Sequence, residues 1–130
     1  MDKKTILIIE DDEMNMRLIR SVLQLGKCRI LEAESAEKGI QLAREHRPDL
    51  ILMDIRLPGM NGLEATRVIK DDPDLGRIPV VALTAYAKKE VEGEAIDAGC
   101  SALLPKPIDT TSFRKAVAMI LSAYSPGHFQ

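Results

Sequence analysis

Apolar residues gather along the chain in five short runs: "TILIIE" 5–10, "CRILEA" 28–33, "DLILMD" 49–54, "PVVALT" 79–84 and the weaker "SALLP" 101–105. Each has the length of a strand and is rich in β-branched or aliphatic side chains. Between the runs the period changes to that of a helix: Leu18, Val22 and Leu25 after the first, Ala36, Ile40 and Ala43 after the second, Leu63, Thr66 and Ile69 after the third. The stretch "AKKEVEGEAIDAG" after the fourth run carries Gly93 in its middle and stops at Gly99, which predicts the weakest and most mobile helix. A last helix follows Asp109 or Thr110 as N-cap and sets Phe113, Val117, Ile120 and Tyr124 on one face.

Strands alternating with helices imply right-handed crossovers and a parallel sheet covered on both faces, which explains why the first, third and fourth runs are almost continuously apolar. The predicted architecture is an α/β, doubly wound (βα)5 fold. No internal repeat, low-complexity segment or linker interrupts it, so residues 1–124 are expected to form one domain and "SPGHFQ" 125–130 a frayed tail.

Composition narrows the function classes. The chain has 130 residues, 29% of them charged, with a net charge of -2, so neither a basic footprint for nucleic acid nor an acidic tail is indicated. The longest apolar runs fall far short of the roughly 20 residues that cross a bilayer. No secretory signal follows Asp2-Lys3-Lys4, so Cys28 and Cys100 read as reduced thiols and the protein as soluble and cytoplasmic.

Ligands of an open parallel sheet bind beyond the carboxyl ends of its strands. Here the first strand ends in Glu10-Asp11-Asp12, the third in Asp54, the fourth in Thr84-Ala85 and the fifth in Lys106-Pro107. Taken singly these are ordinary: a capping cluster, a turn opener, a cap, a surface lysine. Together they bring carboxylates, a hydroxyl and an ammonium to one rim. Converging carboxylates repel one another unless a divalent cation neutralises them, and an all-oxygen set suits Mg²⁺, with Mn²⁺ as an alternative. A lysine and a hydroxyl opposite the metal would hold phosphoryl oxygens, and a carboxylate can itself be the nucleophile that forms an aspartyl phosphate. Asp54 stands where that nucleophile belongs.

Four ordered motifs, "ILIIEDDEMNMRL", "DLILMDIRLPGMNGLE", "IPVVALTAYA" and "LPKPI", make the chain resemble a response-regulator receiver domain of two-component signalling over nearly its whole length. The "MNMRL" segment is similar to receivers of hybrid kinases and of stand-alone, single-domain phosphorelay regulators. The resemblance implies a flavodoxin-like sheet of strand order 2-1-3-4-5. It implies that Asp54 accepts a phosphoryl group from the phosphohistidine of a histidine kinase or histidine phosphotransferase, or from a small phosphodonor. It also implies that Asp11 and Asp54 bind Mg²⁺ through side chains and Arg56 through its backbone carbonyl, with Glu10 holding metal-bound water and Asp12 an additional loop acid. Thr84 and Lys106 would contact the phosphoryl group, the Lys106-Pro107 bond would be cis, and Gly62 would open the third helix close to the site. Output would pass to a downstream protein through the fourth helix, fifth strand and fifth helix, without nucleic acid or membrane. Such a chain catalyses only its own phosphorylation and dephosphorylation. One departure stands out: the family's usual Tyr or Phe three residues before the lysine is Leu103 here. That places the expected response on the loop holding Tyr86, two residues after Thr84.

Other readings fare less well. An Mg²⁺-dependent aspartyl-phosphate phosphohydrolase would want a second acid two residues after the nucleophile, where this chain has Arg56. A P-loop nucleotidase would need a Gly-rich loop ending in Lys-Ser/Thr where the acids stand, and a flavin module would want hydroxyls and backbone donors there. The main rival is an interaction-only pseudo-receiver locked in one state, which Leu103 favours and the complete set of phosphorylation positions opposes.

Overall fold

In the computed structural model, which describes residues 3–24, 28–86 and 88–123, five strands and five helices alternate. They are β1 (Thr5–Ile9), α1 (Glu13–Gln24), β2 (Arg29–Ala33), α2 (Ala36–His46), β3 (Leu50–Asp54), α3 (Gly62–Asp71), β4 (Val80–Thr84), α4 (Lys89–Ala98), β5 (Ala102–Pro105) and α5 (Thr110–Ala123). The sheet order is β2-β1-β3-β4-β5 and every pairing is parallel. This is the doubly wound, flavodoxin-like arrangement that the alternating runs and the resemblance predict.

Strand parity divides the core in two. Ile6, Ile8, Leu50, Leu52, Val81 and Leu83 point to one face, where Met16, Ile19, Val22 and Leu23 of α1 and Phe113 and Val117 of α5 cover them. Leu7, Ile9, Ile51, Met53, Val80 and Ala82 point to the other, under α2, α3 and α4. Because β3 and β4 are buried on both faces, neither alternates in polarity. Each such aliphatic side chain contributes about 1.5–3 kcal/mol by leaving water.

Each apolar run sheds a residue or so at a strand end. Asp49, for example, turns its carboxylate back to accept from the Thr5 amide at 2.7 Å and stays outside β3. Helix α1 buries Met16, Ile19, Val22 and Leu23, whereas Leu18, part of the predicted stripe, is 39% exposed. The spacing found the helix but was phased one position off its buried face, and Leu25 lies outside the described residues. In α5 Phe113 and Val117 are buried, Ile120 packs half-buried beside them, and Tyr124 and the predicted tail lie outside the described residues. Asp109 is the cap, accepting from the Ser112 amide at 3.0 Å. Helix α4 buries only Ala95 and Ala98 and starts at Lys88 without a side-chain cap, in keeping with its weak apolar stripe. Among the described residues no helix is long and apolar enough to cross a membrane.

Candidate functional site

The parallel topology delivers four functional positions to one rim. Glu10 follows β1 directly, Asp54 is the last residue of β3 and Thr84 the last of β4, and Lys106 follows β5. Backbone hydrogen bonds carry the ladder past the strand ends and lock these positions in register: Glu10 N–H donates to Ala33 O at 3.0 Å, Ile55 N–H to Leu83 O at 3.1 Å and Lys106 N–H to Thr84 O at 2.8 Å. The Lys106-Pro107 peptide bond is cis, as the resemblance implies.

At the centre Lys106 Nζ lies 2.7 Å from Glu10 Oε1 and 3.0 Å from Asp54 Oδ1. Asp54 Oδ1 also accepts from the Arg56 amide at 3.2 Å, and Glu10 Oε2 accepts from the Asp12 amide at 3.1 Å. Both carboxylates are buried, Glu10 being 1% and Asp54 4% exposed, while Asp11 is exposed. Burial pushes the Glu10 carboxyl up to about 7; pairing with Lys106 and the Asp12 amide pull against this, and the Asp54 charge adds to it. For Lys106 burial alone would favour the neutral amine, but its carboxylate partners outweigh burial and the net displacement is upward.

One carboxylate oxygen from each of Glu10, Asp11 and Asp54 lies within 4.8 Å of the other two. Glu10 Oε1 is shut away from solvent and makes no hydrogen bond; its contact with Lys106 is an ion pair without hydrogen-bond alignment. Three carboxylates that share a single lysine ammonium offer hard oxygen donors that fit Mg²⁺ or Mn²⁺. Asp11→Ala is accordingly expected to weaken Mg²⁺ binding on the order of tenfold or more, measured by titration. Asp11→Asn should melt no lower than the parent in metal-free buffer, since it removes a repelled charge; a lower melting temperature would contradict the repulsion argument.

The loop from β3 into α3 is held at its far end by a capping box. Asn61 accepts from the Glu64 amide at 2.9 Å, and Glu64 Oε1 accepts from the Asn61 amide at 3.5 Å. Gly62 then passes so close that a Cβ there would sit 2.1 Å from the Asp54 carbonyl oxygen. On the β4 side Thr84 Oγ1 accepts from the Tyr86 amide at 3.0 Å. The Arg56 guanidinium lies over the Tyr86 ring, 4.0 Å from its centroid. Leu103 packs half-buried against the core on the α2–α4 side of the sheet.

Every residue nominated from the sequence is therefore at this rim. Asp12 is more than an additional acid: as the capping-cluster reading allows, it caps α1 by accepting from the Asn15 amide at 2.9 Å. Two features escaped the sequence reading. The Asn61–Glu64 box has an N-x-x-E signature at the start of α3 and was legible. The Arg56–Tyr86 stack joins residues thirty positions apart by simple numbering and has no local signal.

Comparison with known proteins gives a consistent picture. The chain matches the family model described as the response regulator receiver domain over residues 6–118. It is 42% identical over 118 residues to the polar-differentiation response regulator DivK of Brucella anthropi, an alignment spanning 91% of this chain and 96% of that one. The receiver domain of a sensor histidine kinase of Pseudomonas aeruginosa, solved with a magnesium ion coordinated in its active site cleft, is 29% identical with a TM-score of 0.85, covering 92% of this chain and 98% of that one. The chemotaxis protein CheY4 of Vibrio cholerae shares the fold at 20% identity and a TM-score of 0.87, covering 92% and 99%.

Proposed function

This chain belongs to the response regulator receiver domain family, and on that premise we propose that it is a phosphoryl-accepting switch whose acceptor is Asp54. The observation that carries the proposal is a buried aspartate at a strand end, 3.0 Å from a lysine ammonium and within 4.8 Å of two further acids.

The Lys106 and Arg56 contacts both fall on Asp54 Oδ1, so Oδ2 is the oxygen left to attack. It forms a bond to the phosphorus of a phosphohistidine as the P–N bond breaks. The electron pair goes to the imidazole, which takes a proton from solvent. Glu10, Asp11, Asp54 and the Arg56 carbonyl would hold Mg²⁺, which when bound offsets the charge that builds on the phosphoryl oxygens. Lys106, freed from its ion pair with Asp54, and the Thr84 hydroxyl hold the remaining oxygens. Hydrolysis of the acyl phosphate returns the carboxylate, so the chain turns over only its own phosphate.

The donor in this reading is a histidine kinase or histidine phosphotransferase in the cytoplasm, and the reader is a protein that meets the α4-β5-α5 face, where Ile96 of α4 is 63% and Met119 of α5 is 71% exposed. A near-balanced charge supports protein partners over nucleic acid. A histidine phosphotransferase carrying labelled phosphohistidine provides the test. Label should pass to this chain in Mg²⁺ and stay on the donor when a chelator is added. Retention on every cognate and non-cognate donor tried, in Mg²⁺, would instead favour the interaction-only reading.

A further inference from the structure

We propose that the Arg56–Tyr86 stack is a latch between the β3–α3 and β4–α4 loops, closed in the resting chain and opened when the guanidinium transfers to phosphoryl oxygens on Asp54. This deepens the phosphoacceptor reading and rests on it. Arg56 and Tyr86 each stand two residues beyond a site side chain, Asp54 and Thr84, and are tied to them through their own amides: Arg56 N–H to Asp54 Oδ1 at 3.2 Å and Tyr86 N–H to Thr84 Oγ1 at 3.0 Å. The stack therefore completes a chain of contacts running from the acceptor carboxylate to the hydroxyl.

Two facts make the contact exchangeable. Among the described residues Arg56 forms no ion pair, so the Tyr86 ring at 4.0 Å is the partner its side chain shows. Tyr86 is also 48% exposed, and a stack at so open a site favours the closed form by only on the order of two- to fivefold. A phosphoryl group adds roughly one and a half to two negative charges and three strong acceptors, a better partner for a planar guanidinium than a ring face. If Thr84 turns toward the same oxygens, the amide that rides on its hydroxyl is disturbed too. Both motions free Tyr86 at the start of the loop into α4.

The latch gives this chain a response that does not need a large side chain at position 103. Leu103 is already packed against the core and offers little that differs between states. Tyr86 instead loses the guanidinium that covers it, beside α4, which buries only Ala95 and Ala98.

The chain has two tyrosines and no tryptophan, so in a Tyr124→Phe background Tyr86 is the only fluorophore. Acrylamide quenching of its emission should rise roughly twofold, one ring face being uncovered, when a small acyl phosphate and Mg²⁺ are added and intact mass shows the adduct in the same sample. In Arg56→Met the quenching should already be high without phosphate and should not rise further; Arg56→Lys, which keeps a cation, should restore part of the response. An adduct without a change in quenching overturns the latch while leaving the phosphoacceptor reading intact. Equal quenching of Arg56→Met and the parent at rest also overturns it, without reference to phosphate. Failure to form any adduct overturns the phosphoacceptor reading, and the latch falls with it.

Discussion

Gly62→Ala is expected to destabilise the fold by about 3 kcal/mol and to slow phosphorylation of Asp54 in the molecules that remain folded. The new Cβ would stand 2.1 Å from the Asp54 carbonyl oxygen and 2.9 Å from the Ile55 Cα. These are backbone atoms of a strand end, so no side-chain rotation relieves the clash. Either α3 retreats, breaking the Gly62 N–H bond to Ile55 O at 2.9 Å, or the end of β3 moves and takes the acceptor carboxylate with it. Gly93→Ala is the control. A Cβ at Gly93 meets nothing within 4 Å, and removing a glycine from mid-helix should stabilise α4 by about 0.5–1 kcal/mol. Urea unfolding of both variants measures this; equal stability of Gly62→Ala and the parent would contradict the close approach.

Lys106→Met is expected to cost about 3 kcal/mol near pH 7.5, because it strands two buried carboxylates that the ammonium holds at 2.7 and 3.0 Å. The loss should shrink as the pH falls. Burial raises the folded-state Glu10 carboxyl from 4.5 to about 7. Its contribution to stability is therefore fully present below the unfolded value and is lost as the pH rises from about 4.5 through 7. Without Lys106 the carboxyl group is held protonated more strongly still, so the variant should approach the parent near pH 5. In the metal-free parent, Glu10→Gln should flatten the decline over the same window. Added Mg²⁺ should restore part of the Lys106→Met loss at pH 7.5 by supplying the missing positive charge. Denaturant unfolding at the two pH values decides the matter, and a loss independent of pH would mean that lysine packing, not charge, is what matters.

The fold was legible because its signals were redundant. Strand runs of "LILMD" and "VVALT" cannot be exposed on either face, and that alone demands helices on both sides of a parallel sheet. The site was legible for a related reason: parallel strands deliver their last residues to one edge, so Asp54 and Thr84, far apart in sequence, meet with the residues that follow β1 and β5. Helix phase was less certain. Leu18 shares the 3.6-residue period of Val22, yet Met16, Ile19 and Leu23 are the residues that face the sheet with it, because phase depends on how α1 crosses the strands. Asp12 shows another limit: three acids in a row carry no mark of which faces the pocket, and its capping of the Asn15 amide is settled by the direction of α1. The Arg56–Tyr86 stack depends on the relative paths of two loops, which neither sequence segment encodes alone.

The central claim is that Asp54 accepts a phosphoryl group, and intact mass after incubation with a small acyl phosphate and Mg²⁺ tests it most directly. The parent should gain a single phosphoryl group that survives acid and is lost in base, as an acyl phosphate must be, and Asp54→Asn should gain none. A parent that stays unmodified while its fold and Mg²⁺ binding are intact, or an adduct of the same stability on Asp54→Asn, would contradict the account.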